Sequence, residues 1–218
     1  MSATVVARAT PFERLLAAAW ERVGAMGVAR ERVRVLGPMG GTDAGVTPWS
    51  VSDADERVLV TGWIGTHPDA TVPLLARLWA LEEAARAGGL PVLVLRFAPL
   101  VGQHSPLCAK LAGGPPLDAR LARALVQPVH EADAIEGLAR VLAGHVAWHG
   151  WYEVCGADPL TVGELAAAAA AGRFGPAAVA PAWEPPADVL RAMGLSEWQP
   201  WASACGVTPR SVAAGVSR

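Results

Sequence analysis

The chain has 218 residues, a formal net charge of -2, 52% hydrophobic residues and 17% charged ones, enough apolar mass to pack one domain, or one domain with a small appendage. Its 18 basic residues, among which Lys110 is the one lysine, are scattered among 20 acids, which leaves no basic stripe for a nucleic-acid backbone. Cys108, Cys155 and Cys205 are odd in number, far apart and in no CxxC pattern, which argues against a disulfide framework or a zinc site and makes a reducing cytoplasm the expected setting.

Met1 to Arg14 shows no basic region followed by an apolar stretch, and Arg, Glu, Asp, Gly or Pro interrupts every long apolar segment. A soluble, non-secreted protein without a transmembrane segment is expected. Thr4-Val5-Val6-Ala7 reads as a short strand; Thr10-Pro11 then caps and opens an amphipathic helix through Leu15, Leu16, Ala19, Trp20 and Val23, which Gly24 or Gly27 can end. Val33-Arg34-Val35-Leu36 is a second strand, followed by a Gly, Thr, Asp and Pro rich loop from Met39 to about Asp55. Arg57 to Thr61 is a third strand, Val72 to Arg86 an apolar helix ending at Gly88-Gly89, and Pro91 to Arg96 a fourth strand, apolar as strands buried on both faces are.

From Gln103 the pattern becomes a loop through Gly113-Gly114-Pro115-Pro116, a helix near Leu117 to Leu125, a strand at Gln127-Pro128-Val129, and a helix from Glu131 to about Ala143. Trp151 to Val154 is a short strand, and Thr161 with Glu164 forms a capping box before a further helix. Ala180 to Arg218 carries five prolines and several tryptophans and reads as a wrapped tail with short helices. Strands alternating with helices predict a Rossmann-like α/β fold, a parallel sheet with helices on both faces, shortened, with a small C-terminal α/β appendage. The expected division is a core at 1–102 and a C-terminal portion at 103–218 packed on it as a single structural unit.

Four ordered blocks carry a resemblance: Leu95-Arg96-Phe97-Ala98-Pro99-Leu100-Val101-Gly102; Gln127-Pro128-Val129-His130-Glu131-Ala132-Asp133-Ala134; Gly150-Trp151-Tyr152-Glu153-Val154-Cys155-Gly156; and Pro159-Leu160-Thr161. Together with the ending Gly206-Val207-Thr208-Pro209-Arg210-Ser211, they resemble the C-terminal half of extended and atypical short-chain dehydrogenase/reductase proteins. The likeness is to the NAD(P)-binding epimerase-like group that includes nucleoside-sugar epimerase relatives and the complex I accessory subunit, and it covers roughly Arg57 to the C-terminus.

The resemblance implies a Gly-x-x-Gly-x-x-Gly turn after the first strand, where backbone amides approach a pyrophosphate. Arg8, Pro11 and Arg14 stand where those glycines would be, and Leu36-Gly37-Pro38 stands where an acid would take the ribose hydroxyls. Pro11 removes an amide donor and the arginines fill the diphosphate's space; the alternative is that two arginines hold phosphate in another geometry. Two other glycine clusters compete, Gly37-Pro38-Met39-Gly40-Gly41 and Gly62-Trp63-Ile64-Gly65-Thr66-His67-Pro68; ordinary loop glycines are the better reading of both.

The resemblance also implies a Tyr-x-x-x-Lys pair on the helix before the last strand, whose ammonium lowers the phenol pKa for proton transfer. With Tyr152 the one tyrosine and Lys110 the one lysine, the pair cannot exist in this chain. In the family a Glu follows four residues after the Lys; anchoring on Glu82 puts Leu74 and Leu78 at the two positions, and anchoring on Glu83 puts Leu75 and Trp79 there. Thr61 matches the strand-end serine or threonine, and Arg96 and Pro99 the strand end and loop over the nicotinamide.

The vestigial cleft is therefore expected to comprise Arg8, Pro11, Arg14, Thr61, Gly62, Arg96 and Pro99, with no catalytic residue, no metal and no bound cofactor. NAD(P) is the expected cofactor only if the site has been rebuilt. His145 and His149 read as solvated or helix-capping, and His130 with Asp133 as stabilisers of a helix start. Nine tryptophans are many for this length; most fill a core, while Trp183, Trp198 and Trp201 in the tail could anchor an interface.

The expected function is that of a non-catalytic accessory or scaffolding subunit with protein partners. The alternatives are an NAD(P)-dependent oxidoreductase, an epimerase-like enzyme or ligand-binding protein with a rebuilt site in which Arg8, Arg14 or the Gly62 to Gly65 turn holds phosphate, and one half of a heterodimer whose intact paralogue supplies catalysis.

Overall fold

The computed structural model describes residues 11–26, 33–36, 57–103, 105–175 and 185–213. The strand at Thr4 to Ala7, the cap at Thr10, the Gly37 to Gly41 cluster and the loop from Met39 to about Asp55 fall outside these residues. The first described helix, α1 (Pro11–Ala25), carries Leu15, Ala19 and Val23 at helical spacing, all buried. Four strands form one parallel sheet: β1 (Val33–Leu36), β2 (Arg57–Trp63), β3 (Val92–Phe97) and β7 (Trp151–Val154), in the order β1-β2-β3-β7. The register pairs Val35 with Leu59, Leu59 with Leu93 and Val94 with Trp151.

Helix α2 (Pro73–Ala87) joins β2 to β3, and its Leu81 and Ala85 pack on Val58, Val60, Val92 and Val94. The residues between these on the strands point the other way. Leu95 and Phe97 meet Ala134, Leu138 and Val141 of α5 (Glu131–Leu142), the helix before β7. Trp201 of α8 (Gln199–Cys205) closes the same layer, and α1 lies along α5, tied to it by Arg22 Nε to Glu136 Oε2 at 3.0 Å. The architecture is a three-layer α/β fold with helices on both faces, as the alternation of elements predicted.

The steps from β2 to β3 and from β3 to β7 run in the same direction across the sheet, yet α2 and α5 lie on opposite faces. Both crossovers therefore cannot have the same hand. The loops leaving the carboxyl ends of β2 and β3 part to opposite sides, and in open α/β sheets that parting is where a crevice forms.

Between the two parts of the main sheet the chain makes β4 (Leu100–Val101), α3 (Pro106–Gly113), α4 (Ala119–Ala122), β5 (Leu125–Val126) and β6 (Val129–His130); after it come β8 (Leu160–Thr161), α6 (Val162–Ala170) and α7 (Ala187–Ala192). β4 pairs with β6 in parallel and β5 with β8 antiparallel. Strand β7, though late in the chain, belongs to the main sheet.

Three local expectations are corrected. Pro106 opens a helix where a loop was expected, because Ser105 caps it: its Oγ accepts from Cys108 N at 3.2 Å. The helix expected near Leu117 to Leu125 is the single turn α4, capped by Asp118, and Leu125 already lies in a strand. The strand expected at Gln127 to Val129 starts at Val129, since Gln127 turns its side chain inward to Gly156 O and Ser196 N. The capping box is present: Thr161 Oγ1 accepts from Glu164 N at 3.1 Å while Glu164 Oε2 accepts from Thr161 N at 2.8 Å.

Candidate functional site

At the carboxyl end of β2, Thr61 is fully buried, and its hydroxyl donates to Leu36 O of β1 at 3.1 Å. The one proton it could offer a substrate is spent on joining two strands. Gly62, next on the strand, faces α2: a Cβ there would lie 3.7 Å from Leu78 Cδ1 and 3.9 Å from both Glu82 Oε1 and Thr66 Oγ1. These are ordinary contact distances, so the space beneath α2 is filled. Gly62 sits in a strand, Gly65 at φ +91° in the turn after it, and α2 begins only at Pro73. No helix N-terminus follows this glycine cluster closely enough to make a phosphate cradle with it.

Arg96 pairs across the sheet with Gly62 and points to the same face. Its Nε donates to Glu82 Oε1 at 3.0 Å and its Nη2 to Glu82 Oε2 at 2.7 Å, a two-point clamp between β3 and α2. The Glu82 side chain is 1% exposed and that of Arg96 7%. Arg86 Nη2 adds a bond to Glu82 Oε2 at 3.2 Å, and Glu153 of β7 lies 4.0 Å from Arg96 Nη1. The guanidinium carbon is 5.7 Å from the ring centre of Trp79 and 5.4 Å from that of Trp151, so the cation sits between two indoles. Arg96 is thus bound on all sides by this chain and does not overhang an open cleft.

Glu82 rather than the exposed Glu83 makes the buried pair. Of the residues that the two anchors put at the Tyr and Lys positions, Leu75 and Leu78 are buried and Leu74 and Trp79 half-buried. Tyr152 and Lys110 lie elsewhere, on β7 and in the last turn of α3. Pro99, between β3 and β4, serves through its carbonyl, which accepts from Val129 N at 3.0 Å. Of the remaining cleft residues, Arg8 lies outside the described residues and Pro11 and Arg14 form the first turn of α1.

His130 caps α5, its Nδ1 accepting from Ala132 N at 3.2 Å. Asp133 does something the sequence did not suggest. It lies in the first turn of α5, as a stabiliser of the helix start should, and its carboxylate also accepts from Arg210 N at 2.7 Å and Arg210 Nη1 at 2.6 Å, so it holds the C-terminal segment as well. Asp158 does likewise, accepting from Ser211 Oγ, Val212 N and Ala213 N at 2.7 to 3.0 Å. Burial alone would raise the Asp158 pKa, but those donors hold its carboxyl below the usual range.

Trp201 is 1% exposed, with Nε1 donating to Cys155 O at 2.8 Å; it fills the core and anchors no interface. Trp198 is half-buried against that core, and Trp183 lies outside the described residues. Around Trp201 the layer between sheet and α5 leaves only about 10 Å³ of free space, at the lower limit for a single water. Burial pushes the Cys155 thiol up to about 12 and that of Cys205 to about 11, so both stay neutral and non-nucleophilic at pH 7. His145 and His149 are exposed after α5, and among the described residues no three His, Cys, Asp or Glu side chains converge as metal ligands. No described helix is long and apolar enough to cross a membrane.

A feature invisible in the linear sequence lies at the turn after β2. A Cβ added at Gly65 would stand 3.0 Å from Ala192 O and 3.3 Å from Leu75 Cδ1. Helix α7 therefore rests directly on the turn after β2.

No family model and no curated protein matches the chain in sequence. Solved structures with the same fold include MoeE5 in complex with UDP-glucose and NAD, 19% identical over 74% of this chain and 62% of its own, at a TM-score of 0.51. UDP-glucose 4-epimerase from Thermotoga maritima is 15% identical over 74% and 61%, at 0.51. DesIV, a dTDP-glucose 4,6-dehydratase from Streptomyces venezuelae, is 22% identical over 74% and 58%, at 0.50. The chain thus spans about three-fifths of the length of each. Its parallel sheet with helices on both faces has the Rossmann-like α/β fold of these solved structures.

Proposed function

We propose that this chain is a non-catalytic protein on the extended short-chain dehydrogenase/reductase fold, working in the cytoplasm as an accessory or scaffolding subunit of a larger protein assembly. The observation that carries the reading is that Tyr152, the one tyrosine, and Lys110, the one lysine, cannot form a Tyr-x-x-x-Lys pair. At the shuttle's positions stand Leu74 and Leu78, or Leu75 and Trp79 by the other anchor, and none of these side chains can exchange a proton. Thr61, committed to Leu36 O, supplies no substitute. What the fold keeps, the clamp and the carboxylates that hold the C-terminal segment, stabilises the framework. Pro11 and Arg14 at the start of α1, where the family's glycines would be, extend the same reading to the cofactor, which is not expected to bind.

The test is a titration of the purified protein with NADH and NADPH, following tryptophan fluorescence and thermal shift together. No response up to millimolar ligand is expected, and pull-downs would then identify the partner. Saturable micromolar binding would overturn the reading and point to a rebuilt phosphate site.

A further inference from the structure

The carboxyl ends of β2 and β3, where the crossovers part to opposite faces, are where an open α/β sheet offers a crevice to a ligand. Here Ile64 N donates to Phe97 O at 3.1 Å, so the two strands stay joined to their last residues. Ile64, Thr66 and Ala98 at this end are all buried. Helix α7 lies against the turn after β2, beside Leu75 of α2. Val189, Leu190 and Met193 are 0%, 3% and 5% exposed, and the Ala192 carbonyl abuts Gly65.

Glycine is favoured at 65 on two counts: its φ of +91° is one that L side chains rarely adopt, and a Cβ there, 3.0 Å from Ala192 O, would press on the α7 backbone. Two polar links hold the segment from outside the crevice. Gln127 Oε1 accepts from Ser196 N at 3.0 Å while its Nε2 is fixed by Gly156 O at 2.7 Å, and Arg191 Nη1 lies 3.8 Å from Asp118 Oδ2.

We propose that α7 is a built-in plug, a segment of this chain that occupies the crevice at the carboxyl ends of β2 and β3 and denies it to small ligands. This rests on the reading that the crevice has left catalysis, and it gives that reading a physical agent: the crevice is closed by the chain itself and not only stripped of reactive groups.

Amide hydrogen exchange on the full chain tests the plug. In the unaltered protein the Leu190, Met193 and Ser196 amides, bonded to Pro186 O, Val189 O and Gln127 Oε1, should exchange slowly and together. Gly65→Val should speed all three by at least about tenfold while Val58 and Val94, in the sheet, keep their rates. Should Gly65→Val loosen the whole sheet, Gln127→Ala decides: faster exchange at the same three amides with an unchanged sheet supports the plug, and native rates there overturn it. Unprotected α7 amides in the unaltered protein would also overturn it.

The NADH titration separates the two claims. NADH that binds the unaltered protein and frees Leu190 and Met193 would overturn the functional reading while supporting the plug. NADH that binds with their protection unchanged would overturn both.

Discussion

On the α5 side of the sheet, Leu59, Leu93, Leu95 and Phe97 belong to the large apolar cluster that α5 and Trp201 complete. On the α2 side, Val58, Val60, Val92 and Val94 share their face with a buried, fully engaged Arg96. One face is held by packing, which any well-shaped hydrophobe can supply. The other depends on a charge that only its own partners make tolerable. The polar groups on this face fasten a helix to a strand.

The sharpest way to break this comparison is to remove one half of the clamp. Glu82→Ala leaves Arg96 buried with two indoles and a distant Glu153, and should cost about 3 to 5 kcal/mol by denaturant unfolding, whereas replacing both partners by Leu and Met should cost far less. A single-substitution loss below about 1 kcal/mol would show that α2 is held by packing like the opposite face.

Restoring the lost pair is the next largest effect. Leu74→Tyr with Leu78→Lys gives up a buried leucine and should destabilise the protein by about 2 kcal/mol or more without producing NADH oxidation. Turnover of a nucleotide-sugar or carbonyl substrate by this variant would show that the cleft still takes a cofactor and overturn that part of the reading. On the apolar face, a Cβ at Gly137 would lie 2.9 Å from Trp201 Cζ3, so Gly137→Ala should cost about 1 to 3 kcal/mol through overpacking. A neutral result there would mean that the Trp201 layer yields more easily than its density suggests.

The smallest effect concerns pH. The Asp158 carboxyl is held below the usual range, so the ionised form is the one that binds Ser211, Val212 and Ala213. Its contribution is complete above the unfolded aspartate value of about 4 and is lost as pH falls through the lower folded value. Asp158→Asn should remove about 1 kcal/mol at pH 7 and flatten the acid limb of the stability curve; an unchanged curve would show that the C-terminal segment is held by Asp133 alone.

Much of the fold was legible because its determinants are local. The apolar run at Val92 to Leu95, the helix between Gly62 and Gly88, and the Thr161–Glu164 box are each written within a few residues. The loss of the Tyr-Lys pair needed only a count. The choice between Glu82 and Glu83 was not legible, because it depends on which one faces Arg96 across a strand–helix gap. The commitment of Thr61 to Leu36, of Asp133 to Arg210 and of Gly65 to Ala192 was hidden for the same reason: each partner is distant in sequence and ordinary in type. Helix α3 left a local signal, Ser105-Pro106, which the following Gly-Gly-Pro-Pro obscured.

The position of β7 also has a consequence for synthesis. Strand β3 gains its outer neighbour only when Trp151–Val154 has been made, after α3, α4 and α5. Until then a ribosome-bound chain presents an open edge whose sequence, Val-Leu-Val-Leu, is the kind that pairs with other chains. Truncation anywhere between Phe97 and Trp151 should therefore yield insoluble product, while the edge that β7 itself presents in the finished protein is only four residues long.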